Sequence, residues 1–123
     1  MKTQGLPKQE RIRKSDDFTR ILRGGKRTRG RLLDLRWCVD DPSGEAPNRI
    51  GVAVGRRIGN SVLRNRLKRR IREAYRRNKG ELPCRGISMI ILATPQLVGR
   101  NAPEVEEEIR RLLRDLAESS DGA

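Results

Sequence analysis

The chain has 123 residues, enough for one domain around one modest core. Its 29 Lys and Arg against 16 Asp and Glu leave a net charge of +13, which makes a polyanion the default partner, and the lack of histidine removes the usual general base and the commonest metal ligand. No apolar run approaches the roughly 20 residues that cross a bilayer, and the amino terminus lacks the apolar segment of a signal peptide, so no membrane partner and a cytoplasmic location are expected.

Residues 1–14 are polar and basic and are broken by Gly5 and Pro7. They are expected to form a flexible arm that orders mainly on binding, ahead of one domain over 15–118 and a flexible tail over 119–123. Ser15 is placed to cap a short helix, with Asp16 and Asp17 in its positively polarised first turn, Phe18, Ile21 and Leu22 on one face, and Gly24-Gly25 as the stop. Over 31–40 a partial alternation predicts a strand, or two with a kink at Gly30; Leu33, Leu35, Trp37 and Val39 share one face, Asp34, Arg36 and Cys38 the other. Residues 41–48, with Pro42, Gly44 and Pro47, predict a loop closing a hairpin.

Over 49–56 the period continues, with Ile50, Val52 and Val54 on one face and Gly51, Ala53 and Gly55 on the other. A face that bare either lies under a closely packed element, here the first helix, or leaves a groove open to a ligand. The spacing predicts a long helix over 60–77, capped by Asn60 or Ser61, with Leu63, Leu67, Ile71, Ala74 and Tyr75 on one stripe and Asn78 to Gly80 as the stop. Residues 87–93 form a near-continuous apolar run bounded by Gly86 and Pro95, which predicts a strand buried on both faces. A last helix is expected over 103–118, its Val105, Ile109, Leu112, Leu113 and Leu116 at helical spacing and its glutamates toward the N-terminal end, where they suit the helix dipole. The order helix, two or three strands, helix, strand, helix is that of an α+β domain with a small mixed sheet. Cys38 and Cys84 fit no metal-ligand spacing and read as reduced thiols.

The long helix carries the functional signal. Opposite its apolar stripe lie Asn65, Arg69, Arg72 and Arg76, flanked by Arg66 and Lys68. Its cations are accompanied by a single acid, Glu73. Like charges at i,i+4, such as Arg66–Arg70 and Lys68–Arg72, cost a free helix a few tenths of a kcal/mol each. A merely soluble helix would intersperse glutamates, as the last helix does, so the asymmetry points to an anion that offsets the repulsion. Arginine's planar fork holds two phosphate oxygens at once. With only Phe18, Trp37 and Tyr75 as aromatics, recognition should rest on backbone and shape more than on base stacking. A nuclease acting alone finds weak support: the adjacent pairs Asp16-Asp17 and Asp40-Asp41 project divergent side chains, which argues against two-metal hydrolysis by protein carboxylates.

The run from Val54-Gly55-Arg56-Arg57-Ile58-Gly59-Asn60 into Arg64-Asn65-Arg66-Leu67-Lys68-Arg69-Arg70-Ile71-Arg72-Glu73 closely resembles the signature of the bacterial ribonuclease P protein subunit, including its Arg-Asn-Arg core. The resemblance extends back to Ser15-Asp16-Asp17-Phe18 and forward to the buried strand and final helix. It implies an αβββαβα sandwich with a small mixed four-stranded sheet and a left-handed βαβ crossover (ribosomal protein S5 domain 2-like), which general topology rules would not favour. It also implies a role as accessory protein of an endoribonuclease. The protein would bind a catalytic RNA, one protein per RNA, and the complex would remove the 5′ leader of precursor tRNA, with hydrolysis carried by the RNA and its bound Mg2+ and with no catalytic or metal-holding residue on the protein alone.

Carried over by position, Arg56, Arg57, Asn60, Arg64, Asn65, Arg66, Lys68, Arg69 and Arg72 match the loop and helix that contact the RNA, with Arg76 continuing the same face. Phe18 matches one wall of a cleft for the single-stranded leader; Gly51, Ala53 and Arg36 or Trp37 would form the other. Arg56-Arg57 stands where that family usually has two lysines, and the strand around Trp37 is poorer in aromatics than usual. The competing reading is a ribosomal or structural RNA-binding protein using the same basic helix.

Overall fold

The computed structural model describes residues 6–121. Three helices, α1 (Ser15–Gly24), α2 (Ser61–Asn78) and α3 (Ala102–Asp121), are combined with four strands, β1 (Lys26–Arg29), β2 (Leu33–Val39), β3 (Arg49–Ala53) and β4 (Ile87–Ala93). The sheet order is β1-β2-β4-β3, with β4 antiparallel to β2 and parallel to β3. The two expected strands on either side of Gly30 are therefore present as an antiparallel pair.

The hairpin expected across residues 41–48 does not form. β4 inserts between β2 and β3, because Ile87 to Ile91 carries apolar side chains on both faces, is buried throughout, and only the centre of the sheet hides both faces. β3, α2 and β4 thus make a parallel crossover unit.

Side-chain alternation divides the molecule into layers. Leu33, Leu35, Trp37, Ile50, Val52, Met89 and Ile91 face α2 and α3 and form the main core with Leu67, Ile71, Tyr75, Ile109 and Leu113. The other sheet face carries a smaller cluster of Ile12, Ile21 and Ile90, with Phe18, Leu22, Ala53 and Leu92 packed at its rim. So small an apolar contact holds α1 only in part. An ion-pair network completes the attachment: Arg20 reaches Asp40 at 2.9 Å and Asp17 at 3.2 Å, and Arg49 reaches Asp40 at 3.1 Å and Asp17 at 3.5 Å. Burial alone would raise the Asp40 pKa, but hydrogen bonds from Arg20, Ser88 and Arg49 outweigh it and hold the carboxyl well below the usual range.

Several boundaries differ from the sequence reading. Ser15 begins α1 and does not cap it; the cap position is Lys14, which makes no side-chain bond to the helix. The segment expected to be a free arm packs against the sheet from residue 6 onward, with Leu6 and Ile12 only 4% and 7% exposed and the Ile12 N–H donating to the Ile50 carbonyl at 2.8 Å. Two apolar side chains in a basic segment suffice to dock it beside β3; residues 1–5 of that arm lie outside the described residues. At the other end α3 continues to Asp121, through most of the expected tail.

Candidate nucleic-acid interface

Helix α2 is held by its ends and by one stripe. The Asn60 side chain caps it, accepting from the Leu63 N–H at 2.9 Å, which satisfies one of the unpaired donors of the first turn. Leu67, Ile71, Ala74 and Tyr75 are buried in the core. The 3.6-residue period then forces the intervening side chains outward. Asn65, Arg66, Arg69 and Arg72 are exposed, Lys68 and Arg64 are half-buried, and Arg56 and Arg57 stand exposed on a 3-10 turn (Arg56–Ile58) leading into the helix.

Among the described residues, Arg56, Arg57, Arg64, Arg66, Lys68, Arg69, Arg70 and Arg72 have no carboxylate partner. The Nε of Arg64 is buried with no hydrogen-bond partner, and an unpaired buried donor is costly unless a ligand completes it. Arg76 departs from this set, because it is paired with Glu73 at 2.6 Å, a carboxylate it shares with Arg77. Asn60, spent on the cap, also differs from the outward arginines in what it has left to offer. Arg66, Arg69 and Arg70 line a concavity of about 330 Å³ between α2 and the start of α3.

Of the residues expected to wall a leader cleft, Phe18, Gly51, Ala53 and Arg36 share one face of the sheet. The Phe18 ring lies directly on Gly51: a Cβ at that position would stand 2.5 Å from the ring. The bare face of β3 is thus covered by the first helix at Gly51, while Ala53, one step further along, is half-buried at the rim. Cross-strand register places Arg36, Ile90 and Gly51 in one row across this face and Asp34, Leu92 and Ala53 in the next. Arg36 belongs to the α1 face, where its Nη1 donates to the Leu22 carbonyl at 3.0 Å.

Trp37 does not belong there. Strand alternation turns it to the opposite face, where it is 1% exposed in the main core and its Nε1 donates to Thr28 Oγ1 at 3.0 Å. As a lining of the cleft it is withdrawn.

The residues missed from sequence are Arg11 and Arg13. They line a cavity of about 230 Å³ with Phe18, Gly51, Ile12 and Arg72, so the cleft and the basic helix meet there. Partial burial and the charge of Arg11 both pull the Arg72 pKa below the usual arginine value, the mark of two cations facing one space without an anion between them. Leu6 and Ile12, the apolar residues that dock this segment, were the signal that could have located it.

The Ribonuclease P family model matches residues 6–117. The chain belongs to the ribonuclease P protein family. The chain is 36% identical over 107 residues to the ribonuclease P protein component of Clostridium botulinum (strain Langeland), covering 87% of this chain and 94% of that one. It is 32% identical over 114 residues to that of Acidothermus cellulolyticus, covering 93% of each. Among solved structures, the RNase P protein from Thermotoga maritima superposes with a TM-score of 0.75 at 30% identity, over 86% of this chain and 96% of that one. The fold described above is therefore the fold of the ribonuclease P proteins, and the partnership implied for a ribonuclease P protein component is with the enzyme's RNA subunit.

Proposed function

We propose that this protein binds the catalytic RNA of ribonuclease P through the outward face of α2 and the turn before it, and holds the 5′ leader of precursor tRNA in the cleft under Phe18. The complex then removes the leader to give the mature tRNA 5′ end. The observation that carries this reading is the set of eight cations from Arg56 to Arg72 without carboxylate partners, on a capped helix and the turn before it, beside a cavity where Arg11 and Arg72 face one space. Phosphates supply the missing counter-charge, and each one neutralised releases condensed counterions.

Among the described residues, no three His, Cys, Asp or Glu side chains come together to hold a metal ion. In this proposal the RNA carries Mg2+ and the hydrolysis. The protein's residues bind and orient RNA, and one protein is proposed to serve each RNA. No helix among the described residues is long and apolar enough to cross a membrane.

Reconstitution tests this directly. The protein added to a bacterial ribonuclease P RNA should raise cleavage of precursor tRNA at low magnesium relative to RNA alone. Unchanged cleavage would leave a structural RNA-binding protein as the better reading, and cleavage by protein without RNA would assign the chemistry to the chain itself.

A further inference from the structure

The cationic surface of α2 does not end at that helix. At the concavity lined by Arg66, Arg69 and Arg70, the Arg70 Nη1 donates to the Arg100 carbonyl at 2.8 Å, in the loop that precedes α3. The Arg100 guanidinium pairs with Glu104 at 3.4 Å, and Glu104 in turn feels the charge of Arg31. Arg31 and Arg29 line a second concavity of about 650 Å³, further along α3, with Gly30, Glu108 and Arg111. Two basic hollows thus lie along α3, one at Ala102 and Glu106 and the other at Glu108 and Arg111, and the contacts from Arg70 through Arg100 and Glu104 toward Arg31 connect them.

The far hollow is rigid. Glu108 is buried and its Oε2 accepts from the Leu32 N–H at 2.7 Å and the Leu33 N–H at 3.2 Å, while Gly30 N donates to Asp34 Oδ1 at 3.1 Å. A Cβ on Gly30 would collide with the Glu108 carboxylate, so the turn can approach α3 this closely only with glycine there. The acids along the path are already engaged: Glu106 with Arg77, Glu104 with Arg100, and Glu108 with the turn and Arg111. Arg29 and Arg31 are exposed and have no carboxylate hydrogen-bonded to them among the described residues. Both are held on a fixed support, which lowers the entropy lost when they engage a ligand.

We propose that the binding surface for the ribonuclease P RNA continues from α2 past Arg100 to the β1–β2 turn, where Arg29 and Arg31 contact the sugar-phosphate backbone of that same RNA. This extends the function proposed above and rests on it. Charge complementarity and continuity with the α2 surface select the RNA subunit as the occupant. The alternative use of such charges is to guard the edge strand β1 against pairing with other chains.

Salt titration of the full-length protein on the catalytic RNA, without tRNA, separates these. Arg29→Ala with Arg31→Ala should reduce the slope of log affinity against log salt by roughly 1.5, from two lost phosphate contacts, and Arg29→Lys with Arg31→Lys should restore it. A parental slope in the alanine pair would overturn the extension, as would a loss seen only after precursor tRNA is added, or self-association with an unchanged slope. If the parental protein itself binds the RNA without salt dependence, the reading of α2 falls too; if it binds normally and only the alanine pair fails to respond, α2 stands and the extension alone is wrong.

Discussion

Helices α2 and α3 lie side by side on one face of the sheet, both long and both rich in arginine, yet they spend their charges differently. On α3 every arginine meets a carboxylate: Arg110 meets Glu107 at 2.7 Å, Arg111 meets Glu108 at 2.8 Å and Arg114 meets Glu81 at 3.0 Å. On α2 only Arg76 and Arg77 do so, both through Glu73. The same residue type is therefore internal fastening on one helix and unspent charge on its neighbour. Under the function proposed above, the shortage of carboxylate partners, and not the number of arginines, marks the RNA surface.

The largest effect should follow from removing unspent charge. Arg66→Ala or Arg69→Ala should weaken binding to the catalytic RNA by roughly ten- to a hundredfold, the worth of a charge-assisted hydrogen bond, and flatten the salt slope by roughly one unit each. Binding isotherms at several salt concentrations read both numbers. A variant that keeps the parental slope has lost no phosphate contact.

On α3 the sensitive charge is an acid. Glu108→Ala leaves the buried Leu32 and Leu33 N–H groups without their acceptor and should cost about 1–3 kcal/mol of stability in urea unfolding. Its pKa sets a pH dependence as well. Burial raises it, but the hydrogen bonds from Leu32, Arg111 and Leu33 win, so the folded value lies below the ordinary 4.5. Asp40 is likewise depressed below 3.8. Depressed carboxylates contribute fully above their unfolded values and lose that contribution as pH falls through the folded ones. Stability should thus be level above about pH 5 and decline below pH 4, with a shallower decline in Glu108→Ala.

The contrast between the two helices was legible in sequence because it is written in local spacing: the stripe of Leu67, Ile71 and Tyr75 fixes which arginines point outward, and Glu73 is visibly alone. The strand faces were legible for the same reason, and so was the covering of Gly51 by the first helix. What local spacing could not reveal was which strand neighbours which. The insertion of β4 between β2 and β3 is a long-range pairing, decided by where a doubly apolar strand can hide. Trp37 was misassigned although its alternation with Leu33 and Leu35 was read correctly; only the fold says which sheet face is core. The docking of residues 6–14 was missed because Leu6 and Ile12 sit among charges with no period, and with them went Arg11 and Arg13.

The cleft offers a smaller, more selective test. Phe18→Ala should leave assembly with the RNA nearly unchanged while lowering the preference for precursor over mature tRNA by about 1 kcal/mol or slightly more, the low end of a base–aromatic contact. Gly51→Val should do the same with Phe18 intact, because the added side chain must displace the ring. Competition between precursor and mature tRNA measures the preference; equal discrimination in both variants would remove Phe18 from the leader path.

The smallest effect is expected where α3 is most exposed. Arg114 pairs with Glu81 across solvent, with 58% and 35% of the two side chains accessible. Such a pair is worth at most about 1 kcal/mol, and its carboxylate already cancels the charge that RNA would feel. Arg114→Ala should therefore shift stability by less than about 1 kcal/mol and leave the salt slope of RNA binding at the parental value. Since Arg114 and Arg69 differ chiefly in whether an acid sits beside them, a slope that fell as far for Arg114→Ala as for Arg69→Ala would show that partnered arginines bind RNA equally well. Pairing would then have to be abandoned as the property that distinguishes α2 from α3.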